Sequence, residues 1–278
     1  MSFDLPLHVE TAGREPGDGV PVFLLLHGFG ASSFTWRSWV SELSARGHVV
    51  LVDMKGFGAA PKPDDGRYQP TVQAELVHRL IAQRDLRRVT LCGHSLGGGV
   101  SLLTAIRLLD ESRERGTPQR LERLVIVSGA AYRQRLPPFV AMARRPRLSA
   151  GLLGLLGPRR VIRYVLRTIV HDAEAVTSMQ VEGYADPLRT KAARRALLWA
   201  AAQIVPPDLD DLAARFPEID VPTLLLWGRQ DRVVPLWVGE RLAQELSRAE
   251  LHVMEDCGHL PQEEHPQATL DLVRTFLD

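Results

Sequence analysis

The chain has 278 residues, 45% hydrophobic and 24% charged, a balance that suits one soluble α/β domain of an enzyme. Its 34 Lys and Arg nearly cancel its 33 Asp and Glu, so broad electrostatic capture of nucleic acid is not expected. The two cysteines, Cys92 and Cys257, are too few and too far apart for a disulfide framework or a metal-type spacing, and they read as small apolar fillers.

Short apolar runs alternate with longer helical stretches along the chain, the signature of a mostly parallel sheet covered by helices. The opening MSFDLPLHVETAG has no basic start followed by an apolar run, so a cytoplasmic location is expected. Val22 to Leu26 is a continuous apolar run, as for a strand buried on both faces. Gly28, Phe29 and Gly30 end it, and Ser32 or Ser33 then caps a helix running to about Ala45. His48 to Asp53 is the next strand, stopped by Gly56, Gly58 and Pro61. A helix follows from Thr71 to about Gln83, then a strand over 88–93 and a helix from Ser95 to about Leu109. The charged stretch Asp110 to Arg120 reads as a solvated loop beyond that helix. Strands are expected again over 124–129, 221–228 and 250–255, with helices over 235–246 and 266–277. Residues 130–217 break the alternation. They lack β-type runs and carry helical patterns such as 160–170 and 191–205. So long an excursion cannot be one loop in a compact domain. It reads as a helical lid inserted into a core made of 1–129 and 218–278. No run of about 18 apolar residues occurs, so no stable membrane span is expected.

The chemistry gathers around Gly93-His94-Ser95-Leu96-Gly97, a G-x-S-x-G pattern between a strand and a helix. Such a turn lifts the serine oxygen above the sheet and is so tight that its neighbours must be small. His27-Gly28-Phe29-Gly30, at the end of another strand, can aim a backbone amide at the same place. The amides of Phe29 and Leu96 together would form an oxyanion hole. A serine hydroxyl needs a base, and the base needs an orienting acid. His259 and Asp231 each follow a late strand, on the edge where Ser95 emerges. Asp256 lies only three residues before His259 and reads as a loop residue, since its carboxylate would have to fold back. Asp53, followed by Gly56-Phe57-Gly58, reads as a structural acid that caps turn amides. His94 and Gly28 are expected beside the substrate. His171 and His265 read as surface or cap residues.

Together these residues resemble the α/β-hydrolase superfamily over nearly all of the chain. His27 to Gly30 is similar to its oxyanion loop, Asp53 to Gly58 to its D-x-x-G-x-G turn, Gly93 to Gly98 to its elbow, Gly228 to Asp231 to its acid loop, and Gly258-His259 to its histidine loop. The resemblance implies an eight-stranded, mostly parallel sheet flanked by helices, with the first strands antiparallel and a helical lid. Serine at position 95 argues against dehalogenases and epoxide hydrolases, which carry aspartate there. It leaves esterases, C–C hydrolases of ring-fission products, cofactor-free perhydrolases, hydroxynitrile lyases and a non-catalytic small-molecule receptor.

The expected activity is hydrolysis of a carboxylic ester of a small or medium apolar molecule through an acyl-enzyme on Ser95, with neither metal nor cofactor. The expected partner is a small-molecule substrate, and the oligomeric state is left open. In the lid, the apolar stretch 148–158 and the stripe of Val161, Val165 and Ile169 at helical spacing are candidates for an acyl-pocket wall.

Overall fold

The computed structural model describes residues 5–278, with the side chains of 146–155 outside the description. In chain order the elements are β1 (His8–Gly13), β2 (Val22–Leu26), α1 (Val40–Arg46), β3 (His48–Asp53), α2 (Pro70–Gln83), β4 (Val89–His94), α3 (Leu96–Arg115) and β5 (Leu121–Val127). The insertion follows with α4 (Pro138–Ala143), α5 (Pro146–Ile169), α6 (Ser178–Ala185), α7 (Lys191–Ala202) and α8 (Leu209–Ala213). The chain then returns through β6 (Thr223–Gly228), α9 (Leu236–Glu245), β7 (Ala249–Met254), α10 (Pro261–Glu264) and α11 (Pro266–Leu277).

The strands form one sheet in the order β1-β3-β2-β4-β5-β6-β7, parallel throughout except for β1, which runs antiparallel to β3. Every residue of β2, β3, β4 and β6 is buried, because helices cover both faces and leave no solvated side for polar alternation. The sheet has seven strands among the described residues, where the resemblance implied eight. Between β1 and β2 the chain turns instead of forming a partner strand. Val20 donates to the Gly17 carbonyl at 3.1 Å, and Gly19 sits at φ +78°.

Two further expectations are corrected. The helix after Ser95 runs to Arg115, into the first half of the stretch read as a solvated loop, and leaves 116–120 outside it. Glu and Arg are good helix formers, and Arg115 pairs with Glu111 one turn back at 2.7 Å. Gly116, at φ +59°, ends the helix. The segment after Ser32 is a short 3-10 turn (Ser33–Trp36) before α1, not one helix, and the Ser32 side chain caps it.

Residues 130–217 contain helices and no strand among the described residues. Gly157, at φ +74°, interrupts α5, and Pro158 starts its second half. The insertion packs over the edge of the sheet where the parallel strands end in carboxyl termini, so its inner side chains face the loops that follow β2, β4, β6 and β7.

Candidate active site

β4 ends at His94 and α3 begins at Leu96, leaving Ser95 alone in the turn at φ +52°, ψ −115°. The glycines around it are there for want of space. A Cβ at Gly93 would lie 2.3 Å from the Gly97 carbonyl oxygen, and one at Gly97 would lie 2.2 Å from that of Leu26. The turn is tied by its backbone. The Ser95 amide donates to Val127, while its carbonyl accepts from Gly98, Gly99 and Ala130 at 2.9–3.2 Å.

The hydroxyl of Ser95 lies 2.9 Å from Nε2 of His259, and Nδ1 of His259 lies 2.9 Å from Oδ2 of Asp231. A carboxylate accepts, so Nδ1 donates and Nε2 is left to take the serine proton. Oδ1 of Asp231 accepts from the amides of Val233 and Val234 at 2.8 and 2.9 Å, which fixes the carboxylate. All three residues are buried. Asp256 is exposed and lies 3.7 Å from His171, with no described bond to His259.

His94 donates Nε2–H to the His259 carbonyl at 2.8 Å, and the two rings lie 4.9 Å apart. Burial, with the neighbouring imidazole of His259 adding to it, holds the His94 ring neutral, well below its ordinary pKa of 6.5. Nδ1 of His94 faces Gly28, where a Cβ would sit 2.9 Å away. His27 donates Nδ1–H to the Gly28 carbonyl at 2.7 Å and accepts from the Met54 amide at 3.1 Å, which pins the neighbouring loop. Desolvation lowers the His27 pKa as well. The amides of Phe29 and Leu96 donate to no described group, and both residues line the cavity over Ser95. Asp53 accepts from Ser33 and Ala59 at 2.6 and 2.7 Å, inside its own turn, with no described bond to Ser95, His259 or Asp231.

Sequence reading missed Glu264. Its Oε1 accepts from the amide of Leu260 at 2.9 Å, and its Oε2 from those of Gly258 and His171 at 2.9 and 2.7 Å. One carboxylate therefore grips both flanks of His259 and the chain just past α5. The amide of His259 itself donates to the Ile169 carbonyl at 2.8 Å. Beside it the buried Glu263 pairs with Arg37 at 2.6 Å and accepts from Thr35 at 2.8 Å and from Tyr184 of α6. The only sequence signal was a pair of acids directly after the histidine loop, in a stretch where side chains bury.

Above Ser95 opens a cavity of about 200 Å³. Core residues Gly28, Phe29, His94, Leu96 and His259 line its floor, and Val140, Val161, Ile162, Val165, Leu166 and Ile169 its insertion side. No Asp, Glu, Lys or Arg is among the described residues that line it. The candidate wall at 148–155 lies outside the described side chains. Cys92 and Cys257 are buried free thiols whose pKa values are pushed up by burial. No cluster of metal-ligating side chains occurs, and no helix is long and apolar enough to cross a membrane, among the described residues.

Comparison with known proteins bears on this geometry. The model of the alpha/beta hydrolase family matches residues 23–272. A 2-hydroxy-6-oxononadienedioate/2-hydroxy-6-oxononatrienedioate hydrolase from Cupriavidus pinatubonensis is 27% identical, over 95% of this chain and 89% of its own length. The uncharacterized hydrolase YugF of Bacillus subtilis is 25% identical, over 97% of this chain and 92% of its own. Among solved structures, an alpha/beta hydrolase fold protein from Burkholderia ambifaria superimposes with a TM-score of 0.80 at 26% identity, covering 96% of this chain and 93% of that one.

Proposed function

This chain belongs to the alpha/beta hydrolase family, and on that premise we propose that it is a serine hydrolase of neutral, apolar carboxylic esters. His259 takes the proton from Ser95 as the hydroxyl attacks the ester carbonyl. The Phe29 and Leu96 amides receive the negative charge that develops on the carbonyl oxygen. His259 then protonates the departing alcohol, leaving the acyl group on Ser95. Water, deprotonated by His259, attacks the acyl-enzyme, and the acid leaves as Ser95 recovers its proton. Asp231 keeps the ring in the required tautomer and stabilises the imidazolium.

The observation that carries the reading is the absence of charged side chains from the described cavity wall. A substrate bearing a carboxylate would lose its hydration there and find no cation in return. An acyl chain loses nothing and gains about 0.8 kcal/mol per buried methylene. A volume of about 200 Å³ suits short or medium acyl groups.

A second reading, cleavage of a C–C bond in a ring-fission product, is favoured by the name of the relative from Cupriavidus pinatubonensis. One experiment separates the two. For p-nitrophenyl acetate, butyrate, hexanoate, octanoate and palmitate, kcat/KM should rise several-fold per two carbons and then fall once the cavity is full. A 2-hydroxy-6-oxo dienoate should turn over far more slowly. The opposite ranking would transfer the assignment to the C–C hydrolases.

A further inference from the structure

The insertion is basic where the rest of the chain is acidic. Residues 130–217 hold 14 Arg and Lys against seven Asp and Glu, a net +7; the whole chain is +1, so the remaining residues carry −6. Between Glu122 and Asp172 there is no acidic residue at all, and ten arginines fall there. A charge run is usually just a solvated face, so what matters is what accompanies it.

The second half of α5 has two faces. Val161, Ile162, Val165, Leu166 and Ile169 line the cavity. On the other side Arg159, Arg160, Arg163, Tyr164 and Arg167 are exposed. Arg159 pairs with Glu182 and Arg167 with Glu174. Arg160 and Arg163 have no partner among the described residues. Between them and Arg167 stands Tyr164, 69% exposed. Leu156, 40% exposed, lies just before the break at Gly157, and Met179, 60% exposed, is in the first turn of α6, which packs on α5. Three of the four large exposed apolar side chains among the described residues are therefore here, on the most basic part of the protein.

Double-helical nucleic acid, or a peptide of acidic residues alone, would match the arginines but offer no apolar surface to Tyr164, Leu156 and Met179. The surface of an anionic bilayer satisfies both, with phosphates for the guanidinium groups and the boundary of the acyl chains for the apolar side chains. We propose that the outer face of α5 docks on an anionic phospholipid surface. The helix then lies in the interface with its opposite face forming the cavity wall, on the side from which lipid-dissolved esters arrive. That last link rests on the proposed function; the docking does not.

Co-sedimentation of the full chain with vesicles tests it. Phosphatidylcholine vesicles containing about a third phosphatidylglycerol should bind the protein at least tenfold better than phosphatidylcholine alone, and high salt should remove most of the difference. Each basic residue near such a surface strengthens binding about fivefold, so Arg160→Gln with Arg163→Gln should weaken it about 25-fold. Tyr164→Ser should weaken it at both salt concentrations, and Arg248→Gln, elsewhere on the surface, should leave it unchanged. Ser95→Ala should bind as the wild type does, which keeps the result independent of any esterase activity. Equal binding to both vesicle types, or indifference to the double substitution, overturns the proposal. Binding to heparin that depends on Arg160 and Arg163, with none to vesicles, would identify a polyanion site instead.

Discussion

At the floor of the cavity each polar side-chain atom of Ser95, His259 and Asp231 has a directional partner, and the bonds span 2.8–2.9 Å. On the wall of the same cavity, Val161, Ile162, Val165, Leu166 and Ile169 offer only shape and van der Waals contact. The floor is built from the ends of successive strands of one rigid sheet, the wall from helices of the insertion. Directional bonds fix where a reaction can occur. Apolar surface decides only what fits, and it tolerates changes of shape. The two regions should therefore respond differently to substitution, the floor through kcat and the wall through chain-length preference.

The largest effect expected is at the floor. Asp231→Asn leaves the geometry nearly intact but favours the wrong tautomer of His259, and should lower kcat by about 10⁴. Asp256→Asn, on an exposed side chain, should stay within about twofold. Initial rates on p-nitrophenyl butyrate rank the two, and a larger loss at Asp256 would break the comparison at its strongest point.

A wall substitution should act more mildly and selectively. Val165→Phe narrows the cavity next to Leu166. The preferred acyl chain should shorten by about two carbons, with KM for hexanoate rising several-fold and kcat on acetate within about twofold. An equal fall in kcat for every ester would show that the wall also positions the reacting carbonyl.

The smallest effect lies in stability against pH. Burial holds the folded-state pKa values of His27 and His94 below 6.5. Below about pH 6.5 the unfolded chain therefore binds protons that the folded chain refuses. This contribution is absent above that pH and destabilises the fold as pH drops through it, by up to about 1.4 kcal/mol per pH unit for each histidine. Urea midpoints at pH 7.5 and 5.5 should differ accordingly, and His27→Asn should reduce the difference. An unchanged slope in that variant would mean that His27 takes up its proton in the folded state too.

Most of the sheet is legible in the sequence because buried parallel strands write themselves as continuous apolar runs, as Val22 to Leu26 does. Ser95, Asp231 and His259 can be picked out for a related reason: each sits in a loop after such a run, and the structure brings all three into one hydrogen-bonded chain. Glu264 is not legible. Its partners are backbone amides at 171, 258 and 260, and an amide carries no residue type to recognise. The end of α3 is missed because charge marks exposure equally well on a helix and on a loop. Val161, Val165 and Ile169 show their common face by spacing, but spacing does not say whether such a face meets a core or a cavity.

Ser95 has one more consequence. A serine held at φ +52°, ψ −115° sits where side chains are rarely tolerated, at about 1–3 kcal/mol against a net stability of only about 5–15. Glycine would occupy the same turn without that strain. A lineage selected for durability alone would therefore be rewarded for losing this serine. The serine can persist only while something it does outweighs a more heat-resistant, inert descendant one substitution away.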